Sequence, residues 1–334
     1  MKFDRRTFLT TSLGLAAGAS GAAVLYGPKF HVMRRQPRSQ VAVLKAESYS
    51  PNLEAILRSG LELFHLDVQG KTVILKPNLV DYIPGSHINT HPALVAAAVE
   101  CFRRLGAKSV LVGEGPGHQR DTQLVLVESG FAGELRQLKV PFVDLNRDEL
   151  IDARMLATYT GMKRLWLPRT VLEADFLVSM PKVKTHHWSG VTLSMKNMFG
   201  VVPGAKYGWP KNILHWKGIQ ESILDVCATV PVHFVIADAI VAMEGDGPLN
   251  GRARPLNRIV LADDPVAADA TCARLMGLDP AGITHIRVGA QFLGNASYER
   301  IDQLAEALSE PVSSFETIPE FSHLRVAGSR HRQR

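Results

Sequence analysis

Short runs of apolar and β-branched residues alternate along the chain with longer segments whose apolar positions recur every three to four residues. This is the pattern of an α/β fold. Runs at 41–45, 72–76, 109–113, 140–145, 175–180, 233–238 and 258–262 read as strands. Helical periodicity covers 53–64, 92–105, 122–129, 213–229 and 265–276, and further helices are expected over 284–292 and 298–308. Val73-Ile74-Leu75, Val110-Leu111-Val112 and Phe234-Val235-Ile236 are continuous apolar stretches that need cover on both faces, so the pattern predicts an open, mostly parallel sheet with helices on both sides. It weakens over 147–169, which leaves room for a second, smaller subdomain.

With 46% hydrophobic and 21% charged residues in 334, the chain has enough apolar surface for a sizeable core, and disordered or fibrous classes are excluded. The net charge of +6 points to nucleic acid or membrane until its location is read. Lys2, Arg5, Arg6, Lys29, Arg34, Arg35 and Arg38 at one end and Arg330, Arg332 and Arg334 at the other account for more than the whole excess. The body between them is mildly acidic, so no nucleic-acid partner is expected. Asp4-Arg5-Arg6-Thr7-Phe8-Leu9 opens an uncharged, Gly- and Ala-rich stretch reaching Pro28, with small-residue sites such as Ala17-Gly18-Ala19. That order of zones is a twin-arginine export signal, which implies the twin-arginine translocase as a partner and a periplasmic or otherwise extracytoplasmic destination. The segment is too short and Gly-rich for a stable membrane span unless the signal stays uncleaved. The expected layout is a signal over 1–28, a linker over 29–40, one domain over 41–310 and a tail over 311–334. Cys101, Cys227 and Cys272 lie far apart, so zinc-ribbon and ferredoxin-type motifs are absent and an iron-sulfur cluster is not expected. Their spacing leaves a disulfide open.

The residues that follow each apolar run carry the chemistry, because open parallel sheets bind ligands beyond the carboxyl ends of their strands. Lys76-Pro77-Asn78 ends one run, Glu114-Gly115 a second, Lys182 to His187 a third, Asp238 a fourth and Asp263-Asp264 a fifth. If 180–186 is extended, Lys182, Lys184 and His186 project to one side, where they repel one another unless an anion or carboxylates stand between them. Lys196 and Asn197 then share a turn beside Gly200, and a helix there offers amide groups to an anion. His215 gains interest from the company of His186 and His187. Asp238, Glu244 and Asp246 stand along a segment that runs into a Gly-rich turn, and hard cations take oxygen ligands from such loops, although the spacing is not that of an EF-hand. Asp264 before Pro265 is a helix N-cap, which leaves Asp269 as a counter-ion, base or metal ligand. Serine-elbow, P-loop, kinase and zinc-protease signatures are absent.

Taken in order, Lys76-Pro77-Asn78, Thr90-His91-Pro92, Lys182-x-Lys184-x-His186, Thr192-x3-Lys196-Asn197-x2-Gly200, His215, Asp238, Glu244-Gly245-x-Gly247-Pro248 and Asp264-Pro265-x3-Asp269 resemble the domain-of-unknown-function 362 family (DUF362) over residues 41–290. Some relatives in that family carry a ferredoxin-like iron-sulfur module, for which this chain lacks the cysteines. A more distant likeness to the amino-terminal domain of lactate racemase catalytic subunits, where lysine and histidine hold a nickel-pincer cofactor, draws attention to Lys184 and His186.

The expected function is binding of a small carboxylate or phosphate, with metal-assisted acid/base catalysis at the same cleft. Lys184, His186 and His215 are the catalytic candidates; Lys76, Asn78, His91, Lys182, Lys196 and Asn197 the ligand-binding ones; Asp238, Glu244, Asp246 and Asp269 the ligands of a divalent cation. The rival readings are a non-catalytic carrier or assembly factor for an exported redox system, and a set of ion pairs that only hold the fold.

Overall fold

The computed structural model describes residues 37–117, 121–306 and 313–326. The expected export signal, residues 29–36 of the linker and residues 327–334 of the tail lie outside them. The strands are β1 (Ser39–Lys45), β2 (Thr72–Pro77), β3 (Ser109–Glu114), β4 (Phe142–Asp144), β5 (Leu150–Arg154), β6 (Arg164–Pro168), β7 (Phe176–Met180), β8 (Lys182–His186), β9 (Gly190–Thr192), β10 (Phe234–Glu244), β11 (Arg252–Ala262) and β12 (Ile301–Gln303). The main sheet runs β12-β1-β11-β10-β7-β2-β3-β4, with β8 and then β9 branching from β10. Pairs β12–β1, β10–β7, β7–β2, β2–β3, β3–β4 and β10–β8 are parallel, and β1–β11, β11–β10 and β8–β9 are antiparallel. The sheet is open and mostly parallel, as the continuous apolar runs require.

Alternation along each strand splits the apolar residues between two cores. Val73 and Leu75 of β2, Val178 of β7 and Ile236 of β10 pack with the helices Leu53–Leu61, Pro92–Arg104 and Phe131–Leu138. Ile74, Leu177, Val235 and Ala237 face the other way, onto Ile219–Thr229, Pro265–Leu275 and Thr284–Gly289. Helices therefore cover both faces. In Pro92–Arg104, Leu94, Val95, Ala98, Val99 and Phe102 form the buried stripe, His91 caps the start by accepting from Ala93 N at 3.2 Å, and Pro92 fills the first turn.

Three expectations are altered. Residues 147–169 form the antiparallel β5–β6 hairpin, whose Ala153, Leu165 and Leu167 join the same core as β7 and β10. The single helix expected over 213–229 is two, Asn212–Trp216 and Ile219–Thr229, because Gly218 between them has φ +97°, which a right-handed helix cannot hold. The helix expected over 298–308 is a short 3-10 turn, Tyr298–Arg300, followed by β12, where pairing with the edge of β1 outweighs local propensity. Cys101, Cys227 and Cys272 are all free and buried. No helix among the described residues is long and apolar enough to cross a membrane.

Candidate functional site

Strands β2, β3 and β7 run parallel, so the segments leaving their carboxyl ends gather at one rim of the sheet. A cavity of about 160 Å³ lies there, lined by Asn78 to Val80 after β2, Glu114 and Gly115 at the end of β3, and His186 to Trp188 at and beyond the end of β8. Its remaining walls include Thr192, Lys196, Asn197, Phe199, Lys211 and His215.

Behind the wall, Lys76 is fully buried and its ammonium is held by Glu114 Oε2 at 2.7 Å, Asn197 Oδ1 at 3.0 Å and Pro77 O at 3.0 Å. Glu114 also accepts from Leu79 N at 3.1 Å and Gly115 N at 2.8 Å, so its carboxylate stitches together the chain ends of β2 and β3. Gly200 closes over this pair. A Cβ there would land on Glu114 Oε1 and 2.6 Å from Lys76 Nζ, so the position requires glycine.

A second ion pair lies deeper. Lys182 Nζ donates to Asp238 Oδ2 and to Tyr49 Oη, each at 2.9 Å, while Tyr49 donates to Asp238 Oδ1 at 2.7 Å and His91 N to Asp238 Oδ2 at 2.9 Å. Tyr49 stacks on His91 with 3.7 Å between ring centroids. Every oxygen of Asp238 is used, and neither Lys182 nor His91 lines the cavity.

Three further lysines have no carboxylate in ion-pair distance among the described residues. Lys184 is fully buried and donates to Ile88 O at 2.5 Å. Lys211 donates to Asn146 Oδ1 at 2.6 Å and Val202 O at 2.5 Å, on a backbone with φ +70°. Lys196 stays partly open to the cavity and its ammonium stands 3.9 Å from the centroid of the Phe199 ring. Burial pushes Lys184 well below the usual lysine range, and the neighbouring Lys182 and Lys196 push it further. Burial lowers Lys196 to about 7, with Lys76 adding to the shift and Glu114 opposing it. Burial also lowers Lys211 to about 7, against the pull of Glu114.

The two histidines are fixed in opposite roles. His186 Nδ1 accepts from Trp188 N at 3.0 Å and Ser189 N at 3.3 Å, so the proton sits on Nε2 and the ring is a donor. Burial, then Lys196 and His187, hold it neutral. His215 Nδ1 lies 3.3 Å from Lys211 O, and because a carbonyl only accepts, this nitrogen carries the proton and Nε2 keeps its lone pair. Burial and then Lys196 lower His215 below the ordinary histidine value.

The four carboxylates expected around a cation are dispersed. Asp238 is consumed by Lys182 and Tyr49. Glu244 meets Arg252 at 3.0 Å and Glu316 N at 2.9 Å, and Asp246 lies 3.3 Å from His187 Nδ1 and 3.2 Å from Asn250 Nδ2. Asp269 accepts from Ser194 N at 2.6 Å and Met195 N at 3.0 Å, so the helix start that the sequence offered to an outside anion is filled by the chain's own carboxylate. Among the described residues no three His, Cys, Asp or Glu side chains converge on a point that could hold a metal. A lysine–histidine pair for a nickel-pincer group does not fit either, since Lys184 is sealed behind Ile88 O and lines no part of the cavity.

Of the expected residues, the cavity brings together Asn78, His186, Lys196, Asn197 and His215, with Lys76 directly behind them. Glu114, Lys211 and Trp188 belong beside them and were not among the candidates. Glu114 ends an apolar run, so the strand-end rule reaches it; Lys211 sits in a left-handed turn that leaves no periodic trace. Asn78 Oδ1 and Thr192 Oγ1 are buried in the cavity wall without a hydrogen-bond partner among the described residues.

The chain belongs to the DUF362 family, whose domain of unknown function matches residues 73–274. The thylakoid-associated protein sll1697 of Synechocystis sp. is 28% identical over 255 residues, which cover 73% of this chain and 76% of that protein. Among solved structures, the lactate racemase apoprotein from Thermoanaerobacterium thermosaccharolyticum matches with a TM-score of 0.44 and 14% identity over 74% of this chain. A protein from Thermotoga maritima matches with a TM-score of 0.38 and 13% identity over 69%. The chain spans 59% of the length of each of those two structures.

Proposed function

We propose, from membership of the DUF362 family as the premise, that the cavity at the strand ends binds a small organic anion and prepares it for proton transfer. One observation carries this reading. Lys76, Lys182, Lys184, Lys196 and Lys211 crowd one rim of the sheet, and only Glu114 and Asp238 stand within ion-pair distance of any of them among the described residues. Burying unpaired ammonium groups is costly, and a bound carboxylate or phosphate offsets that cost. Lys196 and Lys211 supply the charge, His186 Nε2–H supplies a neutral donor, and the free Asn78 and Thr192 oxygens orient the polar part of the ligand. His215 Nε2 is the group placed to take a proton, whereas His186 has its only lone pair occupied by two amides.

Calorimetric titration of the full chain with acetate and with inorganic phosphate tests the reading. A bound anion raises the lysine pKa values, so binding takes up protons, is strongest below about 7 and weakens as the pH rises above it. Absence of any saturable heat for either anion below that value overturns it. We also propose that Arg5-Arg6 and the uncharged stretch after them direct export by the twin-arginine route; replacing both arginines by lysine is expected to retain the protein in the cytoplasm.

A further inference from the structure

The three lysines without a carboxylate are not equivalent. Lys184 is sealed from the cavity and bonded to Ile88 O. Lys211 lines the cavity, but its amine is tied to Asn146 Oδ1 and Val202 O. Lys196 alone of the three has no hydrogen-bond acceptor among the described residues, keeps surface open to the cavity and rests on the face of Phe199. The same Phe199 ring meets His215 edge-on, with centroids 5.9 Å apart, so the free amine and the histidine with the available lone pair share one wall.

We propose that Lys196 is a nucleophile that forms an imine with the carbonyl of a small oxo-carboxylate held in this cavity. The inference rests on the anion-binding reading and gives that site a substrate class. The carboxylate lies against Lys211, and the lone pair of Lys196 Nζ attacks the carbonyl carbon as the C=O π bond breaks toward oxygen. His215 Nε2 takes one proton from the resulting ammonium, and a solvent proton converts the alkoxide to a hydroxyl. His215 then returns its proton to that hydroxyl, the C–O bond breaks, and the nitrogen lone pair forms the C=N bond. One amine, one carbonyl and one solvent proton become one protonated imine and one water. An amine lowered to about 7 is about half unprotonated at neutral pH, and that neutral fraction is the one that attacks while Lys211 holds the carboxylate.

The test is reductive trapping. The full chain is incubated with glyoxylate and borohydride, digested and mapped by mass spectrometry, with acetate as the competitor that binds but has no aldehyde or ketone carbonyl. The expected result is one reduced adduct on the peptide carrying Lys196, suppressed at least fivefold by acetate and lost in Lys196→Arg, which has no nucleophilic amine at that position. The inference is overturned if acetate binds normally and no adduct forms, or if Lys196 is labelled no more than exposed lysines such as Lys45 and Lys108. Failure of acetate to bind at all overturns the anion reading together with it. Suppression by acetate is read in the unmodified protein, so the outcome does not depend on the variant folding.

Discussion

Lys182 and Lys196 follow one another on neighbouring segments and have opposite environments. Lys182 is closed in a network in which Asp238 accepts from the lysine, from Tyr49 and from the His91 amide, and nothing is left over for a ligand. Lys196, fourteen positions later, is a half-buried residue at the cavity whose amine has no hydrogen-bond acceptor among the described residues. The first arrangement spends its charge on holding β8 to β10; the second leaves charge available beside a cavity. A buried lysine is thus informative only through its partners. A complete hydrogen-bond set points to structure, and an incomplete one facing open space points to a ligand.

That contrast can be broken first on the closed side. Asp238→Asn leaves the Lys182 ammonium buried without a counter-charge and is expected to cost about 3–5 kcal/mol in urea unfolding. Acetate affinity of the folded fraction should be unchanged; a loss under about 1 kcal/mol would mean the network is open to water. Gly200→Ala probes the junction of the two regions, since its Cβ meets the Glu114 carboxylate. The expected cost is about 1–3 kcal/mol, from overpacking against a buried ion pair, and acetate binding weakens with it. Full stability in this variant would show that the Lys76–Glu114 pair can shift.

On the open side, Lys196→Met should lower acetate affinity by about tenfold or more, equivalent to about 1.4 kcal/mol, while leaving stability unchanged or slightly higher. A clear drop in stability with binding intact would place Lys196 in the structural group instead. The last test is in pH. Lys196 titrates near 7 when folded and at the ordinary value of 10.5 when unfolded, so between these the unfolded chain holds more protons and stability rises with pH. The penalty of the buried charge is fully present below about 7 and is relieved toward 10.5. Lys196→Met removes it, so the stability gap between the variant and the unmodified protein should narrow as pH rises through that window. A gap independent of pH would mean that the amine is not desolvated.

Much of the scaffold was readable from local pattern. The runs at 72–76 and 109–113 became β2 and β3 to within a residue, because a strand buried on both faces leaves an unmistakable apolar run. Asp264-Pro265 fixed a helix start, with Asp264 accepting from Val266 N at 2.7 Å. Longer strands were underestimated: β10 continues from Asp238 to Glu244 and β11 begins at Arg252, since their outer halves pair with each other instead of being covered evenly. For the site, the strand-end rule found Asn78, Glu114 and His186, although Glu114 was not carried forward as a site residue, and Lys196 came from the turn beside Gly200.

The order of residues settled most of the long strands and helices, the faces they bury and that basic side chains follow several strand ends, because periodicity and caps act over a few positions. Pairing was decided elsewhere. Whether Asp238 or Asp269 belongs to a cation, a lysine or a helix start depends on which groups lie within about 3 Å, and hydrogen bonds of that length join Asp269 to Ser194 and Asp238 to Tyr49 across long stretches of chain. Only the packed sheet could leave Lys196 without a hydrogen-bond acceptor among the described residues and put Lys211, hidden in a left-handed turn, on the same wall.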